Sequence, residues 1–423
     1  MMNSIQGSDH DVTSRVAPPL WRDRSTLGWA FAGGVSAIGN EIWFVALAFS
    51  AAQLGNASLA GFVLAAATIP RALLMLVGGA VTDRFDSRRM MIISDALRVV
   101  VLGIALVVFS VQGISAALLI AIGVAFGIVD AFYGPASRSF PLQLVPRPEL
   151  GRLSALRQLI GRFARIVGAP LGGVLVAVYG LGGAMATNAL SFVVIFGVLI
   201  AVRPRWPRTR STGKSIRGDL RDGLVYLRRT PRVRDLIIAL SGLNVFVSPV
   251  LSIGLALHAT RHGWGAAGLG WLTGSIGVGA AVGTLVAMRW RPAYPVRTAL
   301  VLLFFQAAAL ATVGLAPYVM TLGAMIIVGI VAGLASPMLA GAFQATVDEE
   351  YLGRAGAVLS LSDDGLAPVA MAGFGALAEL TGLAAAAISF AVGFAALLSF
   401  SLSRPHVRAL RADGSVGTER MPA

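Results

Sequence analysis

The sequence predicts an all-α polytopic membrane protein in which twelve transmembrane helices form two pseudo-symmetric six-helix bundles. Apolar residues make up 56% of the 423-residue chain and charged residues only 13%, whereas a soluble domain carries about twice that charge. Apolar runs of roughly 20 residues, the length that crosses a bilayer, recur twelve times along the chain. Several residues of the first six runs recur at a constant spacing in the last six, which indicates an internal repeat.

The twelve apolar runs are separated by turns that alternate in charge. They are numbered here as spans 1 to 12, at about 27–51, 57–81, 90–111, 115–136, 155–178, 181–202, 234–258, 265–288, 297–315, 319–342, 355–379 and 382–402. The turns after spans 1, 3, 5, 9 and 11 contain no Lys or Arg, and the turn after span 7 contains only Arg261. The other connections are rich in arginine, and the positive-inside rule places that side in the cytoplasm. We therefore expect a multi-pass protein of the cell (inner, cytoplasmic) membrane with both termini cytoplasmic.

A shift of 202 residues aligns the two halves of the chain. It places Pro135 on Pro337 and Gly173 on Gly375. Span 5 therefore corresponds to span 11, and two matching bundles can rock about a central cavity, as transport requires. The expected organisation is a cytoplasmic tail at 1–25, a bundle at 26–202, a cytoplasmic linker at 203–233, a second bundle at 234–402 and a cytoplasmic tail at 403–423.

The linker predicts an amphipathic helix. Ile216, Leu220, Leu224 and Leu227 recur at helical spacing among arginines, a pattern typical of a helix lying on an anionic membrane surface. The net charge of +14 could instead suggest nucleic-acid binding. However, no aromatic residues for base stacking interleave the basic ones, so we expect membrane lipid and not nucleic acid as the partner.

One charged turn carries a family resemblance. The segment 78–89 reads GGAVTDRFDSRR and resembles the loop 2–3 signature of the major facilitator superfamily. The matching positions are Gly79, Asp83, Arg84, Arg88 and Arg89. The family's second glycine and its arginine are replaced here by Asp86-Ser87. The form is similar to the variant of the enterobactin-exporter and macrolide-efflux-like branch, which also resembles this chain at 134–138 and 141–145. The resemblance runs from about residue 25 to 402.

The resemblance implies a secondary transporter with this fold, in which Asp83 would lie near the N-terminus of span 11. A second partial match in span 5 is similar to the Gly-Pro-x-x-Gly-Gly signature of family exporters, with its proline displaced by one position. It comprises Gly168, Pro170, Gly172 and Gly173. Small residues also let any two helices pack closely, so a role in export and a role in packing both stay open.

Charged side chains inside spans need a functional or structural reason, because each costs on the order of 3 kcal/mol at the bilayer centre. Glu41 lies near the middle of span 1, next to Asn40 and followed by Trp43 and Phe44, which suggests a polar and aromatic cavity wall. Removal from water favours the neutral form of a carboxyl, so Glu41 is a candidate proton carrier. The alternative is a glutamate satisfied by a neighbouring hydroxyl or arginine.

Spans 2 and 11 carry charges of opposite sign at equal depth. These are Arg71 in span 2 and Asp363 and Asp364 in span 11, and in the family fold the two spans face each other. We expect an interdomain ion pair that closes the cytoplasmic gate in the outward-facing state. Both aspartates are also proton-coupling candidates. The alternative is that the charges are solvated by the cavity and never meet.

Further charges lie in spans 3, 4 and 5. Arg162 and Arg165 share one face of span 5 and could line the cavity together with Arg157, or could neutralise Glu41 or Asp130. Asp130 in span 4 is also the candidate partner for the arginines of loop 2–3. Asp95 and Arg98 in span 3 should pair with each other. Asn244 in span 7 is a further cavity candidate.

The sequence predicts no metal site and no bound cofactor. The chain has no cysteine, and His258 and His262 stand at metal-ligand spacing without a third ligand nearby. No phosphate-binding GxxxxGK loop is present, so we expect a proton gradient to drive the protein, which we expect to be a monomer.

Three functions follow from these observations, and none is enzymatic. The first is a proton-coupled antiporter that exports an amphipathic small molecule, such as a drug, antibiotic or siderophore-like metabolite, by alternating access. The second is an importer or facilitator of a polar nutrient, which would need more polar residues in spans 1, 4, 7 and 10 than Asn40 and Asn244. The third is a non-transporting membrane sensor, which the retained Asp83 and basic pair argue against. No set of residues resembles a nucleophile and its base.

Overall fold

The computed structural model describes residues 20–206, 216–290 and 292–410, and describes only the backbone of 75–84, 147 and 216–220. The chain is built of long helices joined by short turns. Spans 1 to 4 are Arg24–Ala52, Ala57–Arg84, Ser87–Gln112 and Ala116–Ser139, and Leu150–Ala201 holds spans 5 and 6. Span 7 is Pro231–Pro249, a π-helical turn Val250–Gly254 and Leu255–Arg261. Spans 8 to 12 are Gly265–Arg289, Pro295–Leu310, Tyr318–Thr346, Leu352–Thr381 and Leu383–Ser403.

The predicted number of twelve spans agrees with this architecture. Within the described part of the chain, nine helices are long and apolar enough to cross a membrane. The 52-residue helix Leu150–Ala201 contains two of the spans, because Gly180 breaks it with φ 64° and ψ −166°. Glycine adopts positive φ without steric cost, so it turns the chain here. The shorter Pro295–Leu310 and the charge-bearing Leu352–Thr381 complete the set.

Each bundle is closed by a buried carboxylate at the start of its first helix. In the N-terminal bundle, Asp23 caps span 1 and accepts hydrogen bonds of 2.8 and 3.0 Å from Arg205, which follows span 6. In the C-terminal bundle, Asp235 in the first turns of span 7 lies 2.9 Å from Nε2 of His406, which follows span 12. Because both carboxylates are almost fully buried, these contacts join the first and sixth helices of each bundle.

The two bundles meet along two seams, and glycines make the closest contacts in both. A methyl group on Gly61 of span 2 would lie 2.9 Å from the Cα of Gly375 in span 11, and one on Gly173 of span 5 would lie 2.9 Å from the Cα of Gly270 in span 8. Only glycine allows backbones to approach so closely. The 202-residue shift aligns Gly173 with Gly375, so the two seams are formed by equivalent positions of the two halves.

Both glycine contacts lie near the arginine-poor end of the molecule. There, the backbone N–H of Ala57 and the side chain of Asn56, at the start of span 2, donate to the Glu379 carboxylate of span 11 at 2.7 and 3.4 Å. The two bundles are therefore packed together at this end.

The linker helix Ile216–Arg229 packs on span 11 at the arginine-rich end. The hydroxyl of Tyr226 donates to Oδ2 of Asp348 at 3.0 Å, and its ring stacks on Tyr351 with the centroids 4.3 Å apart. Burial raises the pKa of Tyr226 above its ordinary value of 10.0. Leu227, predicted on the lipid-facing side, is instead buried against the protein, whereas Leu224 is exposed. Ile216 and Leu220 have no described side chains.

Candidate functional site

Three cavities between spans have polar walls and lie in the arginine-rich half of the molecule, apart from a mainly apolar one at the end of span 8. The 1–4–5 cavity, of about 500 Å³, is enclosed by spans 1, 4 and 5 and includes Asn40, Tyr133 and Arg157. The Arg71 cavity, of about 210 Å³, adjoins it through Asn40 and is lined by Arg71, Arg98, Asp130 and Arg138 among others. The C-terminal cavity, of about 300 Å³, lies between spans 7, 10 and 11 and includes Asn244, Gln344 and Asp363. Both halves of the chain thus contribute polar walls on this side.

Two of the five predicted cavity residues line these walls, and Trp43, Arg162 and Arg165 do not. Asn40 and Asn244 line the cavities of their own bundles. Trp43 is only 6% exposed and packs on Phe126 of span 4, with ring centroids 5.8 Å apart. The prediction for Trp43 is therefore wrong, because its large apolar ring is used in the core of the N-terminal bundle.

Arg71 and Asp364 form the ion pair expected between spans 2 and 11. Nη2 of Arg71 lies 3.3 Å from Oδ1 of Asp364. The neighbouring Asp363 turns away from Arg71 towards the C-terminal cavity, beside Ser241 and Asn244. The pair forms here while the bundles are packed together at the arginine-poor end. That the pair closes the cytoplasmic gate in the outward-facing state stays a prediction, since this structure describes one arrangement of the bundles.

Asp130 binds a different cation from the one predicted. Nη2 of Arg98 in span 3 donates to Asp130. Nη1 of the same side chain donates to Oδ1 of Asp95 at 2.8 Å. The guanidinium carbon of Arg98 also lies 4.1 Å from the ring centroid of Tyr133. Arg98 is 4% exposed and Asp95 is fully buried, so they form a buried charged pair within the N-terminal bundle, whereas Asp130 is 38% exposed and lines the Arg71 cavity. The local Asp95–Arg98 pair is as predicted.

The loop 2–3 motif is described only in part. Of this motif, only the backbone is described at Gly79, Asp83 and Arg84, where it continues span 2. Arg88 donates from Nε to the carbonyl of Leu199 at 2.8 Å and from Nη2 to that of Ile200 at 2.7 Å. These are carbonyls of the last turn of span 6, which have no partner within the helix. Arg88 therefore caps span 6 and does not bind Asp130. Arg89 is exposed.

The departure from the family motif at Asp86-Ser87 has a local explanation. Asp86 is the N-cap of span 3, and its carboxylate accepts the backbone N–H of Arg88 at 2.9 Å. Ser87 is buried, and its hydroxyl lies 2.8 Å from that of Ser139 at the end of span 4. An Asp that precedes a helix and accepts from its first N–H groups is a recognisable start signal, so the sequence alone could have identified this cap.

Glu41 lies where span 1 crosses span 5. A methyl group on Gly168 would lie 2.7 Å from the Cβ of Glu41, so only glycine fits opposite this side chain. Arg165 lies one turn before Gly168 on span 5 and is exposed. Among the described residues, no ion pair within 4.0 Å joins Arg165 to Glu41, and Asp130 takes its partner from span 3.

The span 5 motif packs on two sides. Gly172 faces span 1, where an added methyl would lie 2.8 Å from the Cα of Ile42, and Gly168 faces the same helix. Pro170 and Gly173 face Gly274 and Gly270 of span 8. Arg162 lies on the same side of span 5 as Pro170 and Gly173, and it donates to Oγ1 of Thr284 in span 8 at 2.8 Å. Arg162, predicted as a cavity residue, therefore lies in the seam between the bundles.

His258 and His262 form a structural cluster at the end of span 7. His258 is fully buried. Its Nδ1 accepts the backbone N–H of Gly314 at 3.1 Å, and its Nε2 donates to the carbonyl of Ala316 at 3.0 Å. Both ring nitrogens thus hold the turn that follows span 9.

Sequence reasoning missed the residues that surround Arg157 in the 1–4–5 cavity, and the carboxylates that close the bundles. Nothing in the local sequence marks Ser36, Tyr133 or Gln158 as cavity residues, because helical spacing gives depth but not the identity of the neighbouring helix. Asp23 gives a detectable signal, since an Asp followed by Ser and Thr is a typical N-cap.

The chain matches the family model of the Major Facilitator Superfamily over residues 29–371. It is similar to the multidrug efflux pump Tap of Mycolicibacterium fortuitum, with 25% identity over 397 residues, which cover 90% of this chain and 95% of the pump. The multidrug efflux pump Tap of Mycobacterium tuberculosis strain H37Rv is also 25% identical, over 90% of this chain and 93% of the pump.

Solved structures of low sequence identity share the fold. A D-xylose-proton symporter superposes with a TM-score of 0.69 at 14% identity, over 92% of this chain and 99% of the symporter. The nucleoside transporter NupG gives a TM-score of 0.69 at 13% identity, over 90% of this chain and 98% of the transporter.

Proposed function

Because the chain belongs to the major facilitator superfamily, it is a membrane transporter and not an enzyme, and we propose that it exports amphipathic small molecules in exchange for protons. The observation that carries the direction of transport is the similarity to multidrug efflux pumps over nearly the whole length of both chains. The protein would act in the cell membrane, with both termini in the cytoplasm.

The positions of the cavities and seams support loading from the cytoplasm. With the arginine-rich end cytoplasmic, the three cavities lie in the inner half of the membrane, and the glycine contacts hold the bundles together at the outer end. This arrangement is an inward-facing state, in which a cytoplasmic molecule reaches the cavities. Rocking the bundles about the seams would separate Gly173 from Gly270 and release the molecule on the other side.

Glu41 is the proposed proton carrier. It is half-buried at the crossing of spans 1 and 5 and next to Asn40, which lines two cavities. When Glu41 is ionised, it attracts Arg165 of span 5. A proton removes that attraction and weakens the hold between spans 1 and 5. Protonation of Glu41 would in this way loosen the packing of span 1 on span 5, the helix that also forms the seam with span 8.

Everted membrane vesicles test this function directly. We expect vesicles that contain the protein to accumulate a fluorescent amphipathic dye when acidified inside, and to lose it when a protonophore collapses the gradient. Vesicles without the protein are the control. Export of the dye from the vesicle lumen would support the importer instead, and transport unchanged by the protonophore would contradict proton coupling.

A further inference from the structure

We propose that the exported molecule carries an anionic group, a carboxylate or a phosphate, and that Arg157 binds this group in the 1–4–5 cavity. The inference rests on the proposed function, because it names the chemical class of the molecule that the exporter takes.

Arg157 is placed in this cavity by span 5. It lies about two turns after the start of the helix at Leu150, so it stands roughly 10 Å inside the arginine-rich end at 1.5 Å per residue. The cavity extends from Trp29, near the start of span 1, to Asn40, near the middle of that span. A ligand that enters from the arginine-rich end therefore meets Arg157 before it reaches Asn40 and its neighbour Glu41.

The guanidinium of Arg157 is held in a fixed position. Its Nη1 donates to the carbonyl of Ser137 at 3.2 Å and its Nη2 to the hydroxyl of Ser137 at 3.0 Å. Its central carbon lies 4.7 Å from the ring centroid of Trp29. These contacts use two of the five N–H donors of the group, so donors remain for a ligand, and a planar guanidinium presents them in the geometry that a carboxylate or phosphate matches.

The charge of Arg157 is not neutralised by the part of the protein that the structure describes. No carboxylate of the described residues lies within 4.0 Å of its guanidinium, and none of the described residues that line the cavity is acidic. An unpaired charge in a half-buried site is costly. A ligand anion would remove that cost and would find further donors on Asn40, Gln158 and Ser154.

The other two cavities are poorer sites for an anion. In the Arg71 cavity, Arg98 is bound to Asp130 and Arg71 to Asp364, and the remaining cation, Arg138, is exposed to solvent. In the C-terminal cavity, the charged lining residue is Asp363, which repels an anion. The charge pattern therefore directs the anionic end of a ligand to the N-terminal bundle.

The competing explanation is structural, since Arg157 also joins span 5 to Ser137 of span 4. A purely structural role predicts that loss of Arg157 weakens the binding of every ligand equally. A binding role predicts a loss that depends on the charge of the ligand.

Rhodamine B and its ethyl ester separate these explanations, because they share one ring system and only rhodamine B has a free carboxylate. Their binding to the purified full-length protein is measured by fluorescence anisotropy. We expect the wild-type protein to bind rhodamine B more tightly than the ester. Arg157→Gln should weaken rhodamine B binding by about tenfold or more, the usual loss for a hydrogen-bonded ion pair, and should change ester binding by less than about twofold. Arg157→Lys keeps the positive charge but lacks the planar, paired N–H donors of a guanidinium, so its loss of rhodamine B affinity should lie between those of the wild type and Arg157→Gln.

The matched control is Arg152→Gln, which removes the same charge from the same helix at an exposed position paired with Glu149. It should leave the binding of both dyes unchanged. Equal losses for the two dyes in Arg157→Gln, or tighter binding of the ester by the wild-type protein, would overturn the inference. Transport in vesicles is read separately: if both dyes bind and neither is transported, the proposed function fails, while the binding result still decides the role of Arg157.

Discussion

Gly173 of span 5 and Gly270 of span 8 are packed backbone against backbone across the seam between the two bundles. A methyl group on Gly173 would lie 2.5 Å from the carbonyl oxygen of Ala266 and 2.9 Å from the Cα of Gly270, closer than nonbonded atoms approach. Gly61 and Gly375 repeat this relationship in the other seam. The closed end of the molecule therefore depends on four residues without side chains.

Substitution of Gly173 should open this end. Gly173→Val cannot fit against the span 8 backbone, so we expect the seam to separate and transport to fall by about tenfold or more. The chain has no cysteine, so a single cysteine at the buried Ala60 reports the opening by its reaction with a membrane-impermeant maleimide. Gly197→Val is the control, because nothing lies within 4 Å of a side chain there. Unchanged labelling and transport in Gly173→Val would contradict the role of the seam.

The Arg71–Asp364 pair should matter for transport more than for stability. Arg71 is 45% exposed and Asp364 is 22% exposed, and exposed ion pairs contribute at most about 1 kcal/mol to the free energy of unfolding. We expect Arg71→Asp and Asp364→Arg each to abolish transport with little change in melting temperature. The double substitution restores the attraction and should recover part of the activity. If the double variant is as inactive as the single ones, the pair has no role as a contact between the bundles.

Glu41→Gln should uncouple the protein from the proton gradient. The amide keeps the size of the side chain but cannot carry a proton, so gradient-driven dye accumulation in vesicles should be abolished, while dye binding to the purified protein stays within about twofold of wild type. Dye efflux by the wild type and by Glu41→Gln, measured between pH 6 and 8, tests this prediction. Wild-type efflux at every pH in this variant would remove Glu41 from the coupling mechanism.

The buried Asp95–Arg98 pair should be essential for folding. Arg98→Met leaves the fully buried Asp95 without a counter-charge, which costs about 3–5 kcal/mol. Thermal melting in detergent measures the loss. Adding Asp95→Asn removes the unpaired charge and should recover at least half of the lost stability. A double variant no more stable than Arg98→Met would indicate that packing, and not charge, dominates at this site.

The linker helix should be held to span 11 through Tyr226. Tyr226→Phe keeps the stack on Tyr351 but removes the hydroxyl bound to Asp348, so docking should weaken by about 1 kcal/mol. Cleavage of the linker by trypsin should then be faster than in wild type. Because the pKa of Tyr226 is raised above 10.0 by burial, its contribution is fully present below pH 10 and is lost as the pH rises through the higher value of the folded protein. Equal cleavage rates in the two proteins would contradict this contact.

The fold could be predicted from the sequence because its main signals are local. Apolar length gives the spans, arginine content gives the sides of the molecule, and a positive-φ glycine such as Gly180 gives a turn. The 202-residue repeat adds the relationship between the bundles, and it places Gly173 and Gly375 at equivalent positions of spans 5 and 11.

Partners across the bundle were harder to predict, because position along a helix gives depth and not direction. For Arg71 and Asp364, the depth in the membrane was enough to predict the ion pair, because the family fold indicated that spans 2 and 11 face each other. It was not enough for Asp130, which binds Arg98 of span 3, or for Trp43, whose ring turns into the core. Asp23 and Arg205 lie 182 positions apart, and no local pattern links them.

The buried carboxylates Asp23 and Asp235 join the first helix of each bundle to the residues that follow its sixth helix. The described residues thus fasten the two ends of each half to each other, on either side of residues 207–215. A polypeptide severed there yields two pieces, each with its own fastened ends and its own share of the two glycine seams.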